Sequence, residues 1–202
     1  EQLRELWRPE SAVKKWSDLN PAWPAEEIRL YGPGTDSGTF DYFTKVIVGE
    51  EKASRADYTA SEDDNVLVTG VMNSRYALGY FGYAYYAENK DKLKLLAVDG
   101  GDGCIKPSME TVRSMSYKPL SRPLFIYVRT DSLQQPATRD FVKFYMQSAD
   151  QLAGEVGYVP VSQQAAEINQ KRLAAALGVK EDNPGTEPQQ DYYPRKLLHS
   201  RE

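Results

Sequence analysis

The run Gly32-Pro33-Gly34-Thr35-Asp36-Ser37-Gly38-Thr39 sets two hydroxyl side chains around a glycine, just ahead of Phe40, Phe43, Val46 and Ile47. The apolar residues recur at helical spacing, so the Ser-Gly-Thr triplet falls on a helix start. First-turn N–H groups lack intrahelical partners and carry partial positive charge. An anion placed there is bound by backbone donors. Ser37 and Thr39 would each add a hydroxyl, Gly38 would let the backbone come close, and Phe40 and Phe43 would pin the helix to a core. The same triplet also serves as an ordinary helix cap, and taken alone it does not separate the two readings. Two nucleotide-binding patterns fail on this loop. No lysine follows Gly38, as a P-loop requires, and Gly32, Gly34 and Gly38 have the wrong spacing for a dinucleotide loop.

The elements needed to hold such a turn can be read on either side of it. Ile28 to Tyr31 is a short strand, so the order is strand, Gly-rich loop, amphipathic helix. Upstream, Leu3, Leu6 and Trp7 share a helical face, and Pro9, Pro21 and Pro24 punctuate a stretch anchored by Trp16 and Trp23. Downstream, Ser61-Glu62-Asp63-Asp64 reads as a helix start capped by Ser61, continued by Val66, Leu67 and Val71. Tyr76 to Tyr80 and Leu93 to Val98 read as strands, Phe81 to Asn89 as a helix, and residues 99–103 as a turn. Leu124 to Val128 is the clearest buried strand. Pro136 opens a long helix with Phe141, Val142, Phe144 and Tyr145 on its apolar side. Ser162 caps a last helix to about Leu177, and residues 181–195 are a polar tail. Short strands alternating with helices predict an α/β fold.

Composition narrows the chemistry. The chain has 202 residues, with 25 Lys and Arg against 29 Asp and Glu, a net charge of −4. The basic residues are scattered, so no nucleic-acid face is expected. One cysteine, Cys104, and one histidine, His199, leave no intrachain disulfide and no Cys/His zinc site. A serine triad would have to use His199 in the polar tail. A metal-assisted phosphatase using Asp36 or Ser37 as nucleophile would have to recruit Asp63, Asp64, Asp99 or Asp102 from turns and helix starts. No metal, no cofactor and no catalytic residue are therefore expected. No apolar run is long enough to span a membrane. The chain opens within a helix rather than on a signal peptide, so a preceding segment is expected.

Several separated segments together resemble a family, the phosphate-binding lipoproteins and periplasmic proteins of high-affinity phosphate ABC transporters. They are Leu3-Arg4-Glu5-Leu6-Trp7, Trp16 to Asn20, Ile28 to Phe43, Val66 to Met72, Leu78 to Gly82, and Arg122 to Val128. The wording Gly-Thr-Asp-Ser-Gly-Thr-Phe resembles the branch common in cyanobacteria. The resemblance implies a type II periplasmic-binding-protein fold of two closing lobes, incomplete here at its N-terminus. Residues 1–117 would be most of the second lobe, 118–180 the crossover and the C-terminal part of the first, and 181–202 the tail.

It also implies extracytoplasmic capture of inorganic phosphate and delivery to ABC permease subunits, with contact to the membrane only through the permease or a lipid anchor. A phosphate sensor or interaction protein on the same fold is the alternative. The family's Ser-Gly-Thr role carries over to Ser37, Gly38 and Thr39. Asp36 is expected to accept a hydrogen bond from a protonated phosphate oxygen, or else to cap the helix. Many relatives place an arginine four residues before the serine, where this chain has Pro33. Arg55 is the expected replacement, ahead of Arg75, with a solvated surface charge as its plainer role.

Overall fold

A computed structural model describes residues 1–178. Helix α1 (Gln2–Trp7) and the single turn α2 (Trp16–Leu19) lead into strand β1 (Arg29–Pro33). The Gly-rich loop follows, then helix α3 (Gly38–Phe43), which widens into one π turn over Thr44–Val48. Strand β2 (Thr59–Ser61), helix α4 (Asp64–Met72), strand β3 (Ala77–Gly79) and helix α5 (Tyr83–Glu88) complete the first half. A two-stranded hairpin, β4 (Val98–Asp99) and β5 (Cys104–Ile105), is followed by helices α6 (Met109–Arg113), α7 (Pro136–Glu155) and α8 (Gln163–Ala176).

The main sheet is parallel, in the order β2-β1-β3, with Tyr31 opposite Thr59 on one side and Leu30 opposite Leu78 on the other. Strand side chains alternate between faces. Leu30 therefore joins Leu6, Trp7, Phe43 and Val48 in a core on one face. Trp7 stands edge-on to Phe43, Tyr58 and Tyr80, and Phe43 stacks on Tyr80 with ring centres 3.8 Å apart. Tyr31 turns to the opposite face, against α4, where Leu67 and Val68 are buried. A methyl group at Gly70 would sit 2.2 Å from the Tyr31 ring, so only glycine lets α4 lie this close to β1. The result is a helix–sheet–helix sandwich. Thr44 is wholly buried within it; its hydroxyl donates to Phe40 O at 2.9 Å and accepts from Lys52 N at 2.8 Å.

Four expectations need correction. Helix α4 is capped by Asp63, whose carboxylate accepts from Asn65 N at 2.9 Å, while Ser61 closes β2. Of the expected strand Leu93–Val98 only the last residue pairs. Leu124 to Val128, expected as a buried strand, forms no ladder; Leu124 is 64% and Tyr127 88% exposed. A strand is stable only when neighbours take up its backbone N–H and C=O groups, and this segment belongs to neither sheet of the described residues. Likewise α7 buries Val142 but leaves Phe141, Phe144 and Tyr145 exposed. The polar tail and His199 lie outside the described residues.

Candidate functional site

The turn stands at the carboxyl end of β1, between the ends of β2 and β3. In a parallel sheet of this order the chain leaves β1 toward one neighbour and later crosses to the other. That leaves a crevice at the carboxyl ends, the usual ligand position in open α/β sheets. The sequence builds the crevice locally. Gly34 N donates to Ser61 O at 3.2 Å, tying the loop to the end of β2. A methyl group at Gly34 would lie 2.1 Å from Glu62 Oε1, and that carboxylate accepts from Asp36 N at 3.2 Å. Tyr58 donates to Pro33 O at 2.9 Å.

Ser37 caps α3. Its backbone is extended, its Oγ accepts from Thr39 N at 3.1 Å, and its carbonyl accepts from Asp41 N at 3.1 Å. Among the described residues, no protein acceptor takes the amides of Gly38 and Phe40. Gly38 is exposed, Ser37 and Thr39 are half-buried, and Phe40 below them is buried. Two N–H groups without an acceptor among the described residues and two hydroxyl side chains therefore lie in the first turn of a helix fixed in the core through Phe40, residue types suited to a tetrahedral oxyanion. The cap and the anion seat are compatible, because the cap occupies only Thr39 N. Asp36 is exposed beside them.

Arg55, expected here as the cationic ligand, has a different role. It is only 6% exposed. Its Nη1 donates to Leu6 O and Val13 O, both at 2.9 Å, and its Nε and Nη2 clasp the Asp57 carboxylate, which Lys14 also contacts. Lys14 O accepts from Ile28 N beside the start of β1, so this network ties down the amino end of the sheet. The Arg55 hydrogen bonds, then that of Lys14, hold the Asp57 carboxyl well below the usual carboxylate range. Arg75 also sits at the amino end, two residues before β3, stacked on Tyr76 and lining a shallow depression with Glu26, Glu27 and Asn73.

The cation beside the turn is Arg122. A methyl group at Gly38 would come within 3.6 Å of its Nη2 and 3.9 Å of its Nη1. Its guanidinium lies over the Tyr42 ring, 5.2 Å from the ring centre. Tyr42, one turn below Gly38 on α3, donates to Pro119 O at 2.7 Å and Ser121 O at 3.3 Å. Burial pushes the Tyr42 phenol up, with the Arg122 charge opposing. Sequence spacing gives no hint of Arg122, which is 84 positions beyond Gly38; only its place in the recurring Arg122-Pro123-Leu124 segment singles it out.

A second acidic group borders the crevice. Asp64, in the first turn of α4, has its carboxyl pushed up by burial and by the neighbouring Asp63 and Glu62, while a hydrogen bond to the Gly82 backbone opposes the shift. Asp99 instead holds its own turn, accepting from Gly101 N and Gly103 N, and Asp102 pairs with Lys118. Among the described residues no three His, Cys, Asp or Glu side chains come together as a metal site.

Comparisons with known proteins identify the family and the fold. The PBP superfamily domain matches residues 3–149. Protein SphX of Synechocystis is 49% identical over 168 residues, covering 82% of this chain and 50% of that protein. Phosphate-binding protein PstS of Staphylococcus saprophyticus is 35% identical over 182 residues, covering 88% and 54%. The chain thus spans about half the length of the curated relatives it matches. Among solved structures, a possible phosphate binding protein from Planctomyces limnophilus superposes with a TM-score of 0.76 at 47% identity, over 87% of this chain and 63% of that one. PstS from Borrelia burgdorferi, 15% identical over 80% of this chain and 62% of that one, shares the fold with a TM-score of 0.54. The chain belongs to the PBP superfamily and has its α/β periplasmic-binding-protein fold.

Proposed function

We propose that this chain grips inorganic phosphate for an extracytoplasmic binding protein that serves an ABC transporter permease. The observation that carries this reading is the pair of unpaired amides, Gly38 N and Phe40 N, beside the Ser37 and Thr39 hydroxyls at the carboxyl end of β1. The names of the relatives support phosphate as the anion. The mechanism is capture without bond making or breaking. Phosphate exchanges water for the helix-start amides and hydroxyls, and a second lobe closes over it. Strong hydrogen bonds to an anion need such a dry site. Residues 1–117 form the lobe that carries the turn, and 118–180 cross back toward the other. Asp36, exposed at the lip, accepts from a protonated phosphate oxygen and disfavours sulfate, which has no proton to give.

Isothermal titration of phosphate into the chain, with and without Ser37→Ala and Thr39→Ala, tests the reading. Expected is a saturable heat that excess sulfate does not suppress and that each substitution weakens about tenfold, the loss of roughly one hydrogen bond to a charged group. Equal heats from all three proteins would leave Ser37 as a helix cap and nothing more.

A further inference from the structure

The donors that converge on the turn are neutral, while its surroundings are acidic. Asp36 lies on the loop itself and Glu62 reaches it from the connection between β2 and α4, accepting from Asp36 N through Oε1, with Asp63 and Asp64 following at the start of α4. A dianion brought to this rim meets repulsion that helix-start amides alone offset poorly, because the partial charge at a helix end is only about half an elementary charge. A full positive charge close to Gly38 would reverse the balance. Pro33 removes the local source of one, Arg55 is spent on Leu6 O, Val13 O and Asp57, and Arg75 is at the far end of the sheet.

Arg122 meets the requirement from another part of the chain. The base of its segment is fixed: Ser121 is buried, Ser121 N donates to Tyr117 O at 2.9 Å, and the Tyr42 hydroxyl holds Pro119 O and Ser121 O. The tip is poised over Gly38, with the Tyr42 ring beneath it as a platform. Among the described residues it makes no ion pair or hydrogen bond, whereas Arg8, Arg129 and Arg139 each pair with a neighbouring carboxylate. A guanidinium anchored at its base, oriented by a ring and left with free donors matches the two-pronged recognition of a phosphate edge.

We propose that Arg122 is the cationic ligand of the oxyanion, reaching over the start of α3 beside Gly38. The inference rests on the reading of Ser37 to Thr39 as a phosphate seat. It makes the seat a composite of two distant stretches, the turn at 36–40 and the segment at 118–122, clamped together by Tyr42. Binding then stiffens the contact between α3 and that segment, and Tyr42 transmits the change.

The test is phosphate titration of the unmodified chain, Arg122→Ala, Arg122→Gln, Arg122→Lys and Ser37→Ala, each with its urea unfolding midpoint. Expected is a loss of at least about tenfold in affinity for Ala and Gln. Lys, which keeps the charge and loses the fork, should fall between them and the unmodified chain. The midpoint should move little, since Arg122 is exposed and its ring contact is worth little there. The fall of affinity with salt should also become shallower in Ala and Gln, which a purely structural role would not produce. If Arg122→Ala and Arg122→Gln bind like the unmodified chain while Ser37→Ala binds weakly, Arg122 only covers Tyr42 and the inference fails, with the phosphate seat intact. If Ser37→Ala also binds like the unmodified chain, or the unmodified chain gives no saturable response, the seat itself is misassigned and the inference falls with it.

Discussion

Replacing Arg55 by lysine separates a structural arginine from a ligand. Arg55 satisfies two backbone carbonyls, Leu6 O and Val13 O, through one nitrogen and grips Asp57 with the others. Lysine keeps the charge but presents a single ammonium, which can retain one of these contacts and not the set. Bonds from a charged donor contribute about 1.5–3 kcal/mol each. The Asp57 side chain is 52% exposed, so its share is at most about 1 kcal/mol. Arg55→Lys should therefore lose about 2–4 kcal/mol. In a domain of this size a loss of about 3 kcal/mol corresponds to a fall of roughly 6–12 °C in Tm. The assay is thermal and urea unfolding followed by tryptophan fluorescence, since Trp7 is buried in the core that Leu6 shares.

The pH dependence gives an independent arm. Asp57 has a depressed folded-state pKa, so its contribution is fully present above its unfolded value near about pH 4 and is lost as pH falls below that. The stability gap between the unmodified protein and Arg55→Lys should narrow in that acidic range. An unchanged Tm combined with weakened phosphate binding would refute the structural role and return Arg55 to the list of ligands.

Other substitutions probe the packing that fixes the turn. Gly70→Ala drives a methyl group into the Tyr31 ring and should cost about 1–3 kcal/mol, visible in a urea midpoint. Tyr80→Phe removes a buried hydroxyl that meets no hydrogen-bond partner among the described residues, and whose ionisation burial pushes far above the usual phenol range. It should be neutral or stabilising by up to about 1 kcal/mol, and a clear loss of stability would mean that the hydroxyl is satisfied in solution.

The parts of this protein that were legible in the sequence are those fixed by local pattern. β1, the Gly-rich loop and α3 follow from an apolar pair, a glycine cluster and a helical repeat within twenty residues. α7 and α8 announce themselves through Pro136 and the Ser162 cap, whose Oγ accepts from Ala165 N. β2 was missed because three residues, Thr-Ala-Ser, carry no apolar alternation; only pairing with β1 makes them a strand. Leu124 to Val128 misled for the converse reason, since five apolar residues read as a strand whether or not a partner lies alongside. The arginines were the least legible. Arg55 and Arg122 differ in surroundings, Arg55 meeting Leu6 O and Val13 O and Arg122 meeting Gly38 and Tyr42, all distant in sequence, and side-chain type alone does not encode that. Apolar spacing placed the turn on a helix start, as the structure has it, whereas the expectation for Arg55 came only from the vacancy at Pro33 and meets an arginine already bonded to Leu6 O, Val13 O and Asp57.

The most direct measurement of the central claim is an amide correlation spectrum of the isotopically labelled chain, recorded as phosphate is added. Saturable downfield shifts confined to Gly38, Phe40 and their neighbours in the turn are expected, with the Arg122 side-chain signal moving in parallel. Shifts centred instead on Asn73 to Tyr76 at the amino end of the sheet, or no saturable shift in the turn, would contradict it.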